Sequence, residues 1–324
     1  MGKIFPIVED DVRKIPYALD GKGVVGKKIN LGITTLHTCK AKEFFDTIGD
    51  SLKKHFDYNL AIVAIIKNEA PYIREWIEYH RLVGVDKFYI YDNESTDNVK
   101  NILEPYIKQN IVTYFYISGK GKQVIAYQDA IKKFKYNVKY MAFIDLDEFL
   151  LPMHEDNVFS IIEDLFANNN QAGGIAVQWC VFGSANHIRK PDGLVIENYL
   201  YRAEGHFESR RHSNRHIKTI CNPRRVLLYG QCHYPKYYKS WHNINTDNEK
   251  IDGPFCETIC WDKLRINHYF TKSFEEYLAK KKRGRASTRG LCWGVEDFFE
   301  TDVNDVYDDS ILRFVPALKK ALDD

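Results

Sequence analysis

Residues 140–152 read YMAFIDLDEFLLP. Met141, Ala142, Phe143 and Ile144 form a short apolar run of the length and type of a buried strand, and it stops abruptly at Asp145, Leu146, Asp147 and Glu148. Side chains alternate in direction along a strand, so this reading aims Asp145 and Asp147 to one side and Leu146 into the core. Carboxylates gathered at a strand end repel one another unless a positive charge joins them, and hard oxygen ligands favour Mg2+ or Mn2+, which also bridge phosphate oxygens. The competing reading is a solvated acidic turn, and a D-x-D alone is too short to exclude it.

Working upstream, the pattern is regular. Residues 60–66 read as a buried strand, Lys67-Asn68-Glu69 as a turn, and 72–83 as an amphipathic helix with Pro71 at its first position and Gly84 closing it. Residues 85–91 are a second strand, ending in the polar run 92–97 that caps a helix to about Ile107. A third strand (111–117), a glycine turn (119–121), a helix (123–134) and the strand carrying the acids (139–144) complete the series. Four alternations predict an α/β fold with a doubly wound, mostly parallel sheet, which places ligands at the carboxyl ends of its strands. Asn68, Glu69, Asp92, Asn93 and Asp145 all fall there.

Downstream the pattern changes. Residues 158–166 read as a helix and 174–182 and 194–202 as strands, set among aromatic and basic segments that predict a mixed β region on the acceptor side. A short strand at 266–270 delivers His268 and is followed by a helix over 273–282 capped by Ser273. The expected organisation is an N-terminal arm over 1–57, with a short helix at 44–56, one main α/β domain after it, and a helical tail over 309–324 interrupted by Pro316. The stretch GKGVVGKK at 21–28 lacks the Ser or Thr of a P-loop and no buried strand precedes it, so it is set aside.

Composition sets bounds on class. A chain of 324 residues with 44% hydrophobic content builds a sizeable core. No apolar run approaches the ~18 residues that span a bilayer, and acids stand where a signal peptide needs an apolar core, so the expectation is a cytoplasmic protein with at most peripheral contact with the membrane's cytoplasmic face. The seven cysteines (39, 180, 221, 232, 256, 260, 292) are odd in number and scattered, which fits reduced thiols. The net charge of +2 hides two strongly basic stretches, 202–225 and 272–289, suited either to a solvated face or to phosphates.

Taken together, KNEAPYIREWIEYHRLVGVDKFYIYDNESTDN, the helix containing Gln123, AFIDLDEFL, Trp179 to Ser184 (WCVFGS) and INHYFTKS closely resemble glycosyltransferase family 92, bacterial members included, over roughly residues 58–308. The resemblance implies a GT-A fold, a nucleotide-sugar donor, usually UDP-linked and often carrying galactose, a Mn2+ cofactor (or Mg2+) and inversion at the anomeric carbon. It makes Asp145 and Asp147 the D-x-D acids and His268 the imidazole that completes metal binding. It makes Lys67, Asn68, Glu69, Asp92 and Asn93 the nucleoside-binding turns and Gln123 part of a donor-facing helix.

The residue chemistry agrees. A leaving diphosphate develops negative charge that a carboxylate-held metal and a basic residue such as Lys218 stabilise. Glu69 and Asp92 suit a uracil N–H and ribose hydroxyls, and Trp179, His187 and Trp241 suit a glycan or glycolipid acceptor. Inversion also needs a base for the acceptor hydroxyl, for which Glu257 and Asp297 are the two candidates. The bland readings are a core role for His268 and Trp179, a loop role for His187 and a first-turn acid for Glu69. Two other functions stay open: a nucleotidyltransferase on a similar sheet, and nucleic-acid binding by the basic stretches, against which the nearly balanced net charge counts.

Overall fold

The computed structural model describes residues 55–284 and 294–323, with a two-residue strand at Phe5–Pro6. Apart from that strand and residues 55–57, the expected arm over 1–57, including nearly all of its helix at 44–56, lies outside the described residues. The principal strands are β1 (Tyr58–Ile66), β2 (Lys87–Asp92), β3 (Val112–Tyr116), β4 (Val138–Phe143), β5 (Glu148–Pro152), β6 (Ala172–Val181), β7 (Ile217–Cys221), β8 (His242–Ile244) and β9 (Leu264–His268). The helices that matter below are α1 (Ile73–Leu82), α2 (Val99–Lys108), α3 (Gln123–Phe134), α4 (Val158–Asn168), α5 (Val195–Asn198) and α6 (Phe274–Arg283).

Strands β3, β2, β1 and β4 lie side by side in that order and all parallel, the arrangement that repeated strand-helix units produce. Alternation along β1 serves both faces. Leu60, Ile62, Ala64 and Ile66 join the apolar cluster of Trp76 and Ile77 on α1, and Ala61, Val63 and Ile65 join that of Tyr127 and Ala130 on α3. Each valine, leucine or isoleucine among them taken fully out of water contributes roughly 1.5–3 kcal/mol. Beyond β4 the sheet turns mixed: β7 is antiparallel to β4 and β6, while β8 and β9 are parallel to β6. A Cβ at Gly173 or Gly174 would strike the Tyr237 ring, so the tandem glycines let that ring lie against β6.

The first four strands and their helices sit where the spacing predicts, and Gly84, at φ +99°, closes α1. Three details differ. Pro71 lies in the turn before α1, where the Glu69 carbonyl accepts from both Tyr72 N and Ile73 N at 3.0 Å. The strand expected over 194–202 is the short helix α5 and a two-residue strand, Tyr201–Arg202, because the buried Glu75 carboxylate accepts from Val195 N (2.9 Å) and Ile196 N (3.1 Å) and so caps a helical turn. Pro316 stands second in the helix Val315–Asp323, a position without an intrahelical N–H partner, and opens that helix rather than interrupting it. This tail packs on α1 through Phe314, whose ring lies 5.6 Å from that of Tyr79. Among the described residues no helix is long and apolar enough to cross a membrane.

Candidate functional site

A cleft of about 530 Å3 opens at the carboxyl ends of β1, β2 and β4, a size suited to a ligand of several rings. Its first wall is made by strand-end turns. Asn93 pins the loop after β3 by donating from Nδ2 to the carbonyls of Ile117 (3.0 Å) and Gly119 (2.8 Å). Lys67, Glu69, Asn93, Gln123, Asp145 and Asp147 line this side. The acids themselves are in a turn rather than on the strand: β4 ends at Phe143, and Glu148 N donates to the Asp145 carbonyl at 3.1 Å.

That turn sends the two aspartates to different partners. Asp145 accepts from Gln123 Nε2 through Oδ1 and from Lys218 Nζ through Oδ2, both at 2.7 Å. Lys218, on β7 and 1% exposed, also lies 3.4 Å from the buried Glu148. Burial opposes its charge, yet Asp145 and Glu148 hold its ammonium well above the usual lysine range. Burial pushes Glu148 up to about 8.

Asp147 faces the second wall, which comes from β6, β9 and α6. The ladders place His268 opposite Glu148 on β5 and Val181 on β6, and Tyr269 N donates to the Asp147 carbonyl at 2.8 Å, so the imidazole stands beside the acidic turn. His268 Nε2 is 3.7 Å from Asp147 Oδ2, and its buried Nδ1 has no hydrogen-bond partner. Burial lowers its pKa against the pull of Asp147. Helix α6 starts on a reciprocal cap, Ser273 Oγ accepting from Glu276 N and Glu276 Oε2 accepting from Ser273 N. Its last turn then crosses the cleft: Lys280 Nζ contacts Asp147 Oδ2, and Arg283 reaches Glu69 at 2.5 Å. Burial works to raise the Asp147 pKa, but Lys280 and His268 hold its carboxyl well below the usual range. Burial pushes Lys280 down to about 8, so its ammonium persists at neutral pH.

The three-ligand set Asp145, Asp147 and His268 is not assembled, because Asp145 is committed to Lys218 and Gln123. Among the described residues no group of three His, Cys, Asp or Glu side chains converges on one point. What does fit a Mn2+ or Mg2+ ion is the pair Asp147 and His268, one carboxylate and one imidazole whose Nε2 faces that carboxylate at 3.7 Å. Such ions commonly take one or two protein ligands and complete their shell with phosphate oxygens and water.

Other expected residues fall elsewhere. Asp92 is buried away from the cleft, accepting from Tyr114 OH (2.6 Å) and Ser95 N (2.8 Å), and Asn68 accepts from Thr96 N; both hold turns instead of offering themselves to a nucleoside. Glu257 is largely exposed outside the cleft and paired with Arg215 at 2.6 Å. Asp297 is buried outside it between Arg210 (2.6 Å) and Arg211 (2.9 Å). Neither is among the residues that line the cleft. His187 packs edge-on to Tyr199, and Trp241 lies under Arg225, both off the cleft. Trp179 does line it, its ring tilted against that of His268 at 4.1 Å and stacked on that of His216 at 4.8 Å.

Sequence reasoning missed Lys280, Arg283, His212 and His233 as cleft residues. The basic run at 272–289 signalled the first two; the histidines stand in irregular segments that carry no period. Several arginines of the other basic run have partners within the chain. Arg202 is spent on Asp308, Arg210 and Arg211 on Asp297, Arg215 on Glu208 and Glu257, and Arg224 on three backbone carbonyls.

The comparisons with known proteins bear on both walls. The sequence profile of glycosyltransferase family 92 matches residues 63–283. A family 92 protein of Oryza sativa subsp. japonica is 28% identical over 242 residues, 74% of this chain and 38% of the relative. A beta-1,4-galactosyltransferase of Caenorhabditis elegans is 24% identical over 247 residues, 71% of this chain and 53% of the relative. The chain thus spans about half or less of the length of these relatives. Among solved structures, glucosyl-3-phosphoglycerate synthase from Mycobacterium tuberculosis, in complex with Mn2+, UDP-glucose and phosphoglyceric acid, overlaps 42% of this chain and 48% of its own at 15% identity and a TM-score of 0.26. The profile match runs from β1 through the last turn of α6, taking in the acids, His268 and Lys280, and by that match the chain belongs to glycosyltransferase family 92.

Proposed function

We propose that this chain is a metal-dependent, inverting hexosyltransferase that moves a hexose, galactose foremost, from a UDP-sugar to a glycan or glycolipid. The observation that carries the reading is the facing of charges across one cleft: Asp145 and Asp147 on one wall, Lys280, Arg283 and His268 on the other. A nucleoside diphosphate needs such a mixture, since its phosphates carry charge that cations hold and its ribose and base carry hydroxyls and N–H groups that acceptors hold. The family 92 profile and the galactosyltransferase relative support the donor class.

Asp147 and His268 are the residues to hold a divalent cation, which when bound supplies positive charge to the departing diphosphate. The chain's own groups do the rest. Lys280 and Arg283 bring further cationic charge to the phosphates from the end of α6. Gln123 orients Asp145, and Trp179 packs against the His268 imidazole and helps hold it in place. Glu257 and Asp297 do not line the cleft, and the imidazoles of His212 and His233, which do, have their pKa values lowered by burial, His233 to about 3, so neither suits the role of a base that holds the acceptor's proton at neutral pH.

The test is a panel of UDP-, GDP- and CDP-sugars incubated with Mn2+ or Mg2+ and saccharide acceptors, read as release of free nucleotide. Release of UDP from a UDP-hexose is expected. No release from any UDP-sugar, or equal release from all three nucleotide classes, overturns the reading.

A further inference from the structure

The Asp147 carboxylate is claimed twice. Lys280 Nζ contacts Oδ2 directly and also donates to the Phe270 carbonyl at 3.0 Å, while His268 Nε2 stands 3.7 Å from the same oxygen. A divalent cation taken up by Asp147 and His268 must share or displace the Lys280 ammonium, because two cations do not hold one carboxylate oxygen at full strength. Lys280 is poorly placed to be displaced without compensation. It is buried, its ammonium lies 4.0 Å from the centre of the Phe270 ring, and Lys272 and Arg283 both add like charge to its surroundings. Arg283 is itself tied to Glu69 and to the Asn68 carbonyl at 3.2 Å, so it does not follow Lys280.

We infer that Lys280 is a positioning residue that makes metal and nucleotide binding depend on each other: it neutralises Asp147, opposes a divalent cation that arrives alone, and moves its ammonium onto the diphosphate when cation and nucleotide arrive together. A free ion has to expel a buried ammonium towards like charges, which is costly. A nucleoside diphosphate gives that ammonium an anionic partner at the moment Asp147 is taken by the metal. Coupling of this kind is reciprocal, so the factor by which the nucleotide tightens the metal is the factor by which the metal tightens the nucleotide. The Asp145 acid has no such exchange available, since Lys218 is shared with buried Glu148 and sits on a central strand rather than at a helix end.

This inference rests on the functional reading above, and its experiment is chosen to separate the two. Mn2+ alone is titrated into the full chain without nucleotide, with free Mn2+ followed by electron paramagnetic resonance; UDP is then titrated calorimetrically at saturating Mn2+. Lys280→Met is expected to tighten Mn2+ by at least about tenfold without nucleotide and to weaken UDP by about tenfold with Mn2+ present. Lys280→Arg keeps the charge and is expected to bind Mn2+ alone as weakly as the unaltered chain, which also covers a Met variant that fails to fold. Unchanged or weaker Mn2+ binding by folded Lys280→Met overturns the inference, as does an Arg variant that binds Mn2+ tightly. If the unaltered chain binds no UDP with Mn2+, the functional reading fails, while the titration with Mn2+ alone still decides the role of Lys280.

Discussion

The two walls of the cleft are built on different terms. The first, from β1 to the turn at residues 145–148, is a run of parallel strands whose ends deliver carboxylates and amides in sequence order, each a few residues beyond an apolar strand. The second draws Trp179 from β6, Lys218 from β7, His268 from β9, and Lys280 and Arg283 from α6, positions spread over a hundred residues and joined by an irregular sheet. The difference teaches where the charge balance of the site resides. The acidic wall is local in sequence and repels itself, and the distant wall supplies the ammonium groups that make it stable.

The largest expected effect lies where the walls meet. Asp147→Asn is expected to cut turnover by about 10^3-fold, about 4 kcal/mol of transition-state stabilisation, because an amide neither holds a divalent cation well nor balances Lys280. The amide oxygen still accepts from Lys280, so the variant folds. Turnover near that of the unaltered chain, measured across Mn2+ concentrations, breaks the idea that the two walls share their charge at this residue.

Removing a cation from the second wall is expected to cost stability rather than chemistry alone. Lys218→Met leaves the partly exposed Asp145 without its ammonium and the buried Glu148, pushed up to about 8, without a donor, and the loss of such charge-assisted hydrogen bonds costs about 2 kcal/mol. Urea melts at pH 7 measure it. A melt identical to that of the unaltered chain shows that the acids need no cation from the far wall.

The first wall also carries a pH dependence of its own, away from the cleft. His80 is fully buried under it; its Nδ1 donates to the Trp76 carbonyl at 2.8 Å, and Leu150 N donates to its Nε2 at 3.2 Å, tying α1 to β5. Burial lowers its pKa to about 3 against the help of the Trp76 carbonyl. Since the folded pKa lies below the unfolded value, the unfolded chain binds the extra proton between them. Stability is therefore full above about pH 6.5 and lost as pH falls towards 3, about 2 kcal/mol of it by pH 5. His80→Gln is expected to flatten this part of the profile in melts at pH 7 and pH 5; an unchanged slope shows that other groups carry it.

The smallest effect sharpens the boundary of the second wall. Glu257→Gln is expected to leave kcat within about twofold, because Glu257 is exposed and paired with Arg215 outside the cleft. A loss of a hundredfold or more places this acid at the reacting hydroxyl and moves the wall with it.

The regular half was legible because its signals are local. A buried parallel strand is a continuous apolar run, its end is the next polar residue, and its helix starts a few residues on, so β1 to β4 and the acids after Phe143 could be read from spacing alone. The same locality located the Ser273 cap and brought His268 to a strand end. Asp92 shows the limit even there. Its position at the end of β2 was readable, but the Tyr114 hydroxyl that occupies its carboxylate comes from the neighbouring strand. In the second half, 194–202 carries strand-like residues and yet forms a helical turn, since Glu75, some 120 residues earlier, supplies the cap.

What the sequence by itself determined, then, is the order of strands and helices, the acids at a strand end, and membership of a family whose motifs stand in the right sequence; each depends on residues within a few positions of one another. Only the tertiary structure decided that Asp145 belongs to Lys218 and Asp147 to Lys280, that Glu257 and Asp297 stand outside the cleft, and that two histidines line it. Charge pairing acts through space over a few ångströms, and which side chains come that close is set by sheet order and ladder register, neither of which the spacing of residues along the chain records.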